Sequence, residues 1–187
     1  CRWAEALLPQ QVSFVGGSPL LAGKGSGPED ARGDLFRDCR YCLVPAPNAH
    51  PDAVGLVSSM VTLLGADPYF LDPLEHDSLV AGVAHLPTIL ALALTDALSN
   101  EPSWREMRKF AGPSFDTFAA LLEGQPDAIT QALLSNRETL LRWLDTYVLK
   151  VQQMRQLLAN DAGEGLNVAV KQANAARSQW MRDRESR

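Results

Sequence analysis

The stretch Asp72-Pro73-Leu74-Glu75-His76-Asp77-Ser78-Leu79-Val80-Ala81-Gly82-Val83-Ala84-His85-Leu86-Pro87-Thr88 is where the chain changes character. Asp72 can cap the free N–H groups of a helix, Pro73 suits the first helical position, and Glu75 completes a capping-box-like start. The pattern predicts a helix over 73–98. Pro87 lies inside it, where it cannot donate a hydrogen bond and its ring crowds the carbonyl of Val83, so a kink is expected beside His85. His76 and His85, nine residues apart, fall on opposite sides of a straight helix and so do not make a metal pair.

Downstream the pattern stays helical. A polar helix is expected over 101–110, Gly112-Pro113 breaks it, and a short apolar helix over 115–122 ends at Gly124. Pro126 opens the next helix, and Ser135-Asn136-Arg137-Glu138 is a second capping-box signal for one running to about 160. Along that helix Leu140, Leu144, Tyr147, Val151, Met154 and Leu158 form a heptad seam, which packs either within one bundle or against another subunit. A last helix over 164–184 puts Leu166, Val170, Ala173, Arg177 and Trp180 on one side.

Upstream the reading is α/β. Residues 12–15, bounded by Pro9 and Gly16-Gly17, form a short strand pattern, and 41–44, ended by Pro45-Ala46-Pro47, form another across a glycine-rich loop. Val54, Val57, Val61 and Leu64 recur at helical spacing with Gly65 as the stop, and 67–71 reads as a third strand. This is the back half of an α/β layer. The start at Cys1-Arg2-Trp3, without an initiator Met and in what reads as the end of a helix, suggests a piece of a longer protein.

The 187 residues, 46% hydrophobic, are enough to bury a real core as one large or two small domains. From Arg137 onward there are nine Lys+Arg against six Asp+Glu, and before it eight against sixteen. An acidic body with a mildly basic tail argues against nucleic acid and against a membrane surface. The apolar run over 80–94 is broken by His85, Pro87 and Thr88, so neither a membrane span nor a targeting segment is expected. Three cysteines, Cys1, Cys39 and Cys42, suit a reducing compartment, and cytoplasmic is the expected location. Cys39 and Cys42 should point to opposite faces of a strand, which excludes a shared metal or an easy disulfide.

The motifs, in order, resemble those of the prephenate/arogenate dehydrogenase family. That family shows Gly-x-His-Pro-Met-Ala-Gly, Ser-Gly, Asp-Leu-Phe, Leu-Thr-Pro, Leu-Gly-Ala, His-Asp and Ser-His-Leu-Pro-His. This chain has Gly16-Gly17-Ser18-Pro19-Leu20-Leu21-Ala22-Gly23, with one residue more than the family motif, then Ser26-Gly27, Asp34-Leu35-Phe36, Leu43-Val44-Pro45, Leu64-Gly65-Ala66, His76-Asp77 and Ala84-His85-Leu86-Pro87-Thr88 at matching separations. The resemblance covers about 12–160. It implies a mainly α fold: an all-helical dimerisation domain over 72–187, of the 6-phosphogluconate-dehydrogenase C-terminal-like type, preceded over 1–71 by the last strands and helix of a Rossmann-like nucleotide-binding domain.

What the resemblance implies for function is the NAD(P)-dependent oxidative decarboxylation of prephenate or arogenate in tyrosine biosynthesis. A proton acceptor must serve the ring hydroxyl, and cations must hold the carboxylates. The family's proton-accepting His falls on Ser18, whose hydroxyl does not titrate near neutral pH. Its carboxylate-gripping Arg falls on Ala120, a loss worth about 1.5–3 kcal/mol in a buried site. The second His of the helix motif is Thr88. His85 is the position that matches, as a candidate substrate-binding residue; read from local pattern alone, it is a core histidine bonded to a carbonyl freed by Pro87.

NAD or NADP is expected in the parent protein. Tight binding by this chain alone is not, since Gly16-Gly17 and Gly23, Gly25 and Gly27 do not form a strand-to-helix Gly-x-Gly-x-x-Gly. The implied partners are a second copy of the chain, through the helices, and a small-molecule substrate. The alternatives are a non-catalytic paralogue that keeps the helical dimer, and a dehydrogenase with a different substrate.

Overall fold

A computed structural model describes residues 1–21 and 28–185; Ala22, Gly23, Gly25, Ser26 and Gly27, which carry part of the motif reading, lie outside the described residues. The described chain forms two compact units, Cys1–Leu140 and Leu141–Arg187.

The first unit opens with helix α1 (Arg2–Leu7), followed by strands β1 (Val15–Leu20) and β2 (Arg40–Pro45), helix α2 (Pro51–Leu63) and strand β3 (Asp67–Phe70). The sheet order is β1-β2-β3, with β1 antiparallel and β2 parallel to β3. Strand β1 corrects the sequence expectation: it runs through Gly16-Gly17-Ser18-Pro19 instead of stopping before it. Gly17 is accommodated because a Cβ there would lie 2.8 Å from the Tyr41 ring, so the missing side chain leaves room for an aromatic on the next strand. Cross-strand packing outweighs the turn preference of the glycine pair.

Leu43, fully buried, packs with Cys39, Val61 and Ala66, flanked by Val15, Phe36, Tyr41 and Val57. Helix α2 covers this face. His50 caps α2 by accepting from the Asp52 N–H at 3.3 Å, and Gly65 takes the left-handed backbone (φ 79°) that ends the helix. Cys39 shares this core with Leu43, while Cys42, three residues on, faces away from it; both thiols are free. Burial pushes both above their ordinary pKa.

A continuous helical rod runs from Pro73 to Ser99: α3 (Pro73–Val80), a π-helical turn (Ala81–His85) and α4 (Leu86–Ser99). Asp72 caps it as expected, its Oδ1 accepting from the N–H groups of Leu74 at 2.8 Å and Glu75 at 2.9 Å. The ladder changes period ahead of Pro87: the Leu86 N–H reaches back five residues to the Ala81 carbonyl. A wider turn absorbs the donor that proline lacks. The rod is also more continuous in hydropathy than the sequence reading allowed. Its most apolar 18-residue window has a mean hydropathy of 1.8, so by length and composition it could cross a membrane, yet of the rod's residues only Ala81 and Ala91 are buried.

Helices α5 (Trp104–Met107), α6 (Pro113–Ala119) and α7 (Pro126–Ser135) follow, with a 3-10 turn (Ala120–Leu122) after α6 that packs, like α6, on α4. Helix α8 (Arg137–Ala159) starts in this unit and continues into the second, where α9 (Gly163–Glu185) follows it through a turn at Asp161 (φ 49°). Along the seam Leu140 is buried and Leu144 and Met154 are half-buried, but Tyr147, Val151 and Leu158 are exposed. Packing within one bundle therefore explains only part of the heptad pattern. On α9, Val170 and Trp180 are exposed as well.

Candidate functional site

The polar groups that concentrate in one place lie on the rod around the π turn. His76 Nδ1 is 3.2 Å from the Asp77 carboxylate, with the His76 side chain largely shielded. His85 closes the π turn one register later. Its ring nitrogen Nδ1, and Nε2 of His76, are buried without a hydrogen-bond partner among the described residues. Burial holds His85 below the ordinary imidazole pKa; the Asp77 carboxylate pulls it upward and the His76 ring pushes it down.

Near neutral pH, His85 is therefore an uncharged imidazole, able to accept at one nitrogen and donate at the other. Such a ring can bind a hydroxyl or an acid group without first losing a proton. The core-histidine reading required a bond to a carbonyl, and buried Nδ1 makes none among the described residues. Thr88, one turn on, spends its hydroxyl on the Ala84 carbonyl at 3.0 Å.

The other singled-out positions lie elsewhere. Ser18 sits in β1 directly opposite Cys42, half-buried on the sheet. Ala120 begins the 3-10 turn packed on α4, so a long cationic side chain there would start from a surface that already borders the rod. Sequence reasoning missed Asn136. It is the only buried polar residue among those described, and its Nδ2 donates to the Asp77 carbonyl at 2.6 Å, tying the joint between α7 and α8 to the rod one residue after His76. The Ser135–Glu138 spacing had pointed to a capping box there, but the Ser135 hydroxyl donates back to the Ala132 carbonyl at 2.9 Å. An asparagine at a helix-to-helix joint was the available signal.

For a dinucleotide, the described residues do not fit. Gly16-Gly17 lies inside an antiparallel strand and opens no helix, so no pyrophosphate cradle is built there. Among the described residues, no group of three or more His, Cys, Asp or Glu is placed to hold a metal ion.

Fold and site together define a class: a helical domain behind the closing strands of an α/β layer, with a histidine-bearing irregular turn in its first long helix. The chain belongs to the prephenate dehydrogenase family, since residues 72–172 match the family's dimerization domain. It is 33% identical over 156 residues to the probable prephenate dehydrogenase NovF of Streptomyces niveus, covering 74% of this chain and 43% of that protein. The crystal structure of Synechocystis arogenate dehydrogenase is similar with a TM-score of 0.79 at 26% identity, covering 89% of this chain and 61% of that one. Prephenate dehydrogenase of Aquifex aeolicus, in complex with hydroxyphenyl propionate and NAD+, shares the fold with a TM-score of 0.83 at 24% identity, over 89% and 58%. The chain spans between 37% and 62% of the length of the curated relatives it matches.

Proposed function

We propose that this chain is the C-terminal part of an NAD(P)-dependent prephenate or arogenate dehydrogenase of tyrosine biosynthesis, in which 72–187 is the substrate and dimerisation domain and 1–71 the end of the nucleotide-binding domain. The observation that carries this reading is the half-buried His85, whose Nδ1 is buried without a partner among the described residues, on the helix where the family's dimerization domain begins. His85 would bind substrate. Ser18, at the position of the family's proton-accepting His, can donate a hydrogen bond but is no general base near neutral pH. The chemistry the cofactor supplies is hydride acceptance, and the residues for its pyrophosphate would come from the rest of the longer protein. This chain by itself would then bind no dinucleotide tightly and be inactive.

The second copy would cover the apolar rod from Pro73 to Ser99 and the exposed seam residues Tyr147, Val151 and Leu158. A rod this apolar and this little buried needs a cover. A protein partner suits it better than lipid, because Glu75, His76, Asp77 and His85 interrupt its apolar surface. The location proposed is the cytoplasm.

Ser18, Ala120 and Thr88 favour a second reading, a non-catalytic paralogue that keeps the helical dimer, or a dehydrogenase for a less anionic substrate. One assay separates them. Appearance of reduced nicotinamide on adding prephenate or arogenate to the longer protein supports the first reading. No turnover by the native sequence, but a gain after the double change Ser18→His and Ala120→Arg, supports decay of an otherwise intact site. No turnover from either would reject the dehydrogenase reading for these substrates.

A further inference from the structure

Asn136 lies at the joint between α7 and α8. Its carbonyl accepts from the Leu140 N–H at 3.0 Å, so the α8 ladder begins there, while its side chain leaves its own helix to reach Asp77, 59 residues earlier in the chain. The Asp77 carbonyl already accepts the Ala81 N–H, which it shares with the Ser78 carbonyl. It thus takes a second donor at the point where the ladder shifts from i→i+4 to i→i+5. A backbone carbonyl has two lone pairs, and both are engaged here.

The consequence is positional. Asp77 carries the carboxylate beside His76, and the π turn that begins four residues later ends at His85. π turns are rare and have local causes; here Pro87 follows the turn, and the Asn136 amide reaches the carbonyl that accepts the N–H of the turn's first residue. We propose that Asn136 is a positioning residue: its amide anchors the Asp77 peptide and so sets the register of the π turn that ends at His85. This rests on the reading that His85 faces substrate.

The competing explanation is that Asn136 only fastens α8 to α3. Asn136→Ala and Asn136→Asp distinguish the two, the latter placing an acceptor against the Asp77 carbonyl. The readouts are hydrogen exchange at the amides of 81–86, with α2 as internal reference, and the ring resonances of His76 and His85. The expected result is exchange about ten-fold faster or more over 81–86, with α2 unchanged and both histidine spectra displaced, most strongly in the Asp variant. A lower melting temperature with 81–86 exchange and the His85 ring unmoved would overturn the proposal in favour of simple fastening.

If neither variant folds, Asn136→Ser, small and still polar but too short to reach the carbonyl, gives the same comparison. Should that also fail, exchange in the unaltered chain decides. Protection over 81–86 that fails to rise and fall together with protection at the start of α8 would overturn the coupling. None of these readouts uses substrate or cofactor. Absence of dehydrogenase activity would therefore leave the positioning result standing, and a negative positioning result would leave the dehydrogenase reading untouched.

Discussion

Replacing Val151 by Asp tests whether the exposed seam is an interface. Val151 is 46% exposed in the single chain. Fully burying a valine side chain contributes about 1.5–3 kcal/mol, so covering the exposed part should contribute about 0.7–1.4 kcal/mol per copy. In a two-fold dimer the substitution occurs twice, giving about 1.4–2.8 kcal/mol from lost apolar contact alone. At 1.4 kcal/mol per decade, that weakens association about 10- to 100-fold, and burying an unpaired carboxylate adds to it. If nothing covers the residue, the change is a surface substitution within about 0.5 kcal/mol, since valine and aspartate differ little in helix propensity. Sedimentation equilibrium across a concentration series measures the effect directly. Gln152→Asp, on the adjacent exposed position, controls for the added charge. Unchanged mass and unchanged melting temperature in Val151→Asp would refute the interface.

Three further outcomes follow from the geometry. Asp72→Ala removes the acceptor of two N–H groups at the head of the rod and should lower stability by about 0.5–2 kcal/mol, read as a shift in the urea midpoint. Buried Cys39 and Cys42 should resist Ellman's reagent until the protein is denatured, whereas exposed Cys1 should react at once; three fast thiols in the native protein would contradict their burial. Because the folded pKa of His85 lies below 6.5, the unfolded chain takes up its proton first as pH falls. Stability from this residue is thus complete above about pH 6.5 and is lost as pH drops from there towards the folded pKa. His85→Gln should flatten that part of the stability profile, and an identical slope would show that His85 is not the group responsible.

Sequence could resolve the parts of this fold that rest on local chemistry. Asp72-Pro73, Gly65 and Pro126 begin or end helices where their side chains and backbone preferences require. What it could not resolve depends on contacts distant in the chain. Strand β1 reads as a turn because Gly16-Gly17-Ser18-Pro19 has turn residues, and it becomes a strand because β2 offers a partner and Tyr41 fills the space above Gly17. Pro87 marks a disturbance in the helix, but that the ladder answers with a π turn depends on its surroundings. Asn136 was hidden by a stronger local pattern, the Ser-x-x-Glu spacing around it.

The site reading drew on motif order and spacing, which placed Ser18, His85, Thr88 and Ala120. Spacing identifies positions but not partners. It could not show that His85 Nδ1 is buried without a bond, or that Asp77 is held from across the fold.

The most direct measurement is calorimetric titration of this chain, and of the longer protein proposed to carry it, with NAD and NADP, followed by prephenate and arogenate. Cofactor binding by the longer protein and none by this chain is the predicted result, because the described residues build no pyrophosphate cradle. Equal cofactor affinity in both would place a nucleotide site within these 187 residues and contradict the division of labour proposed for them.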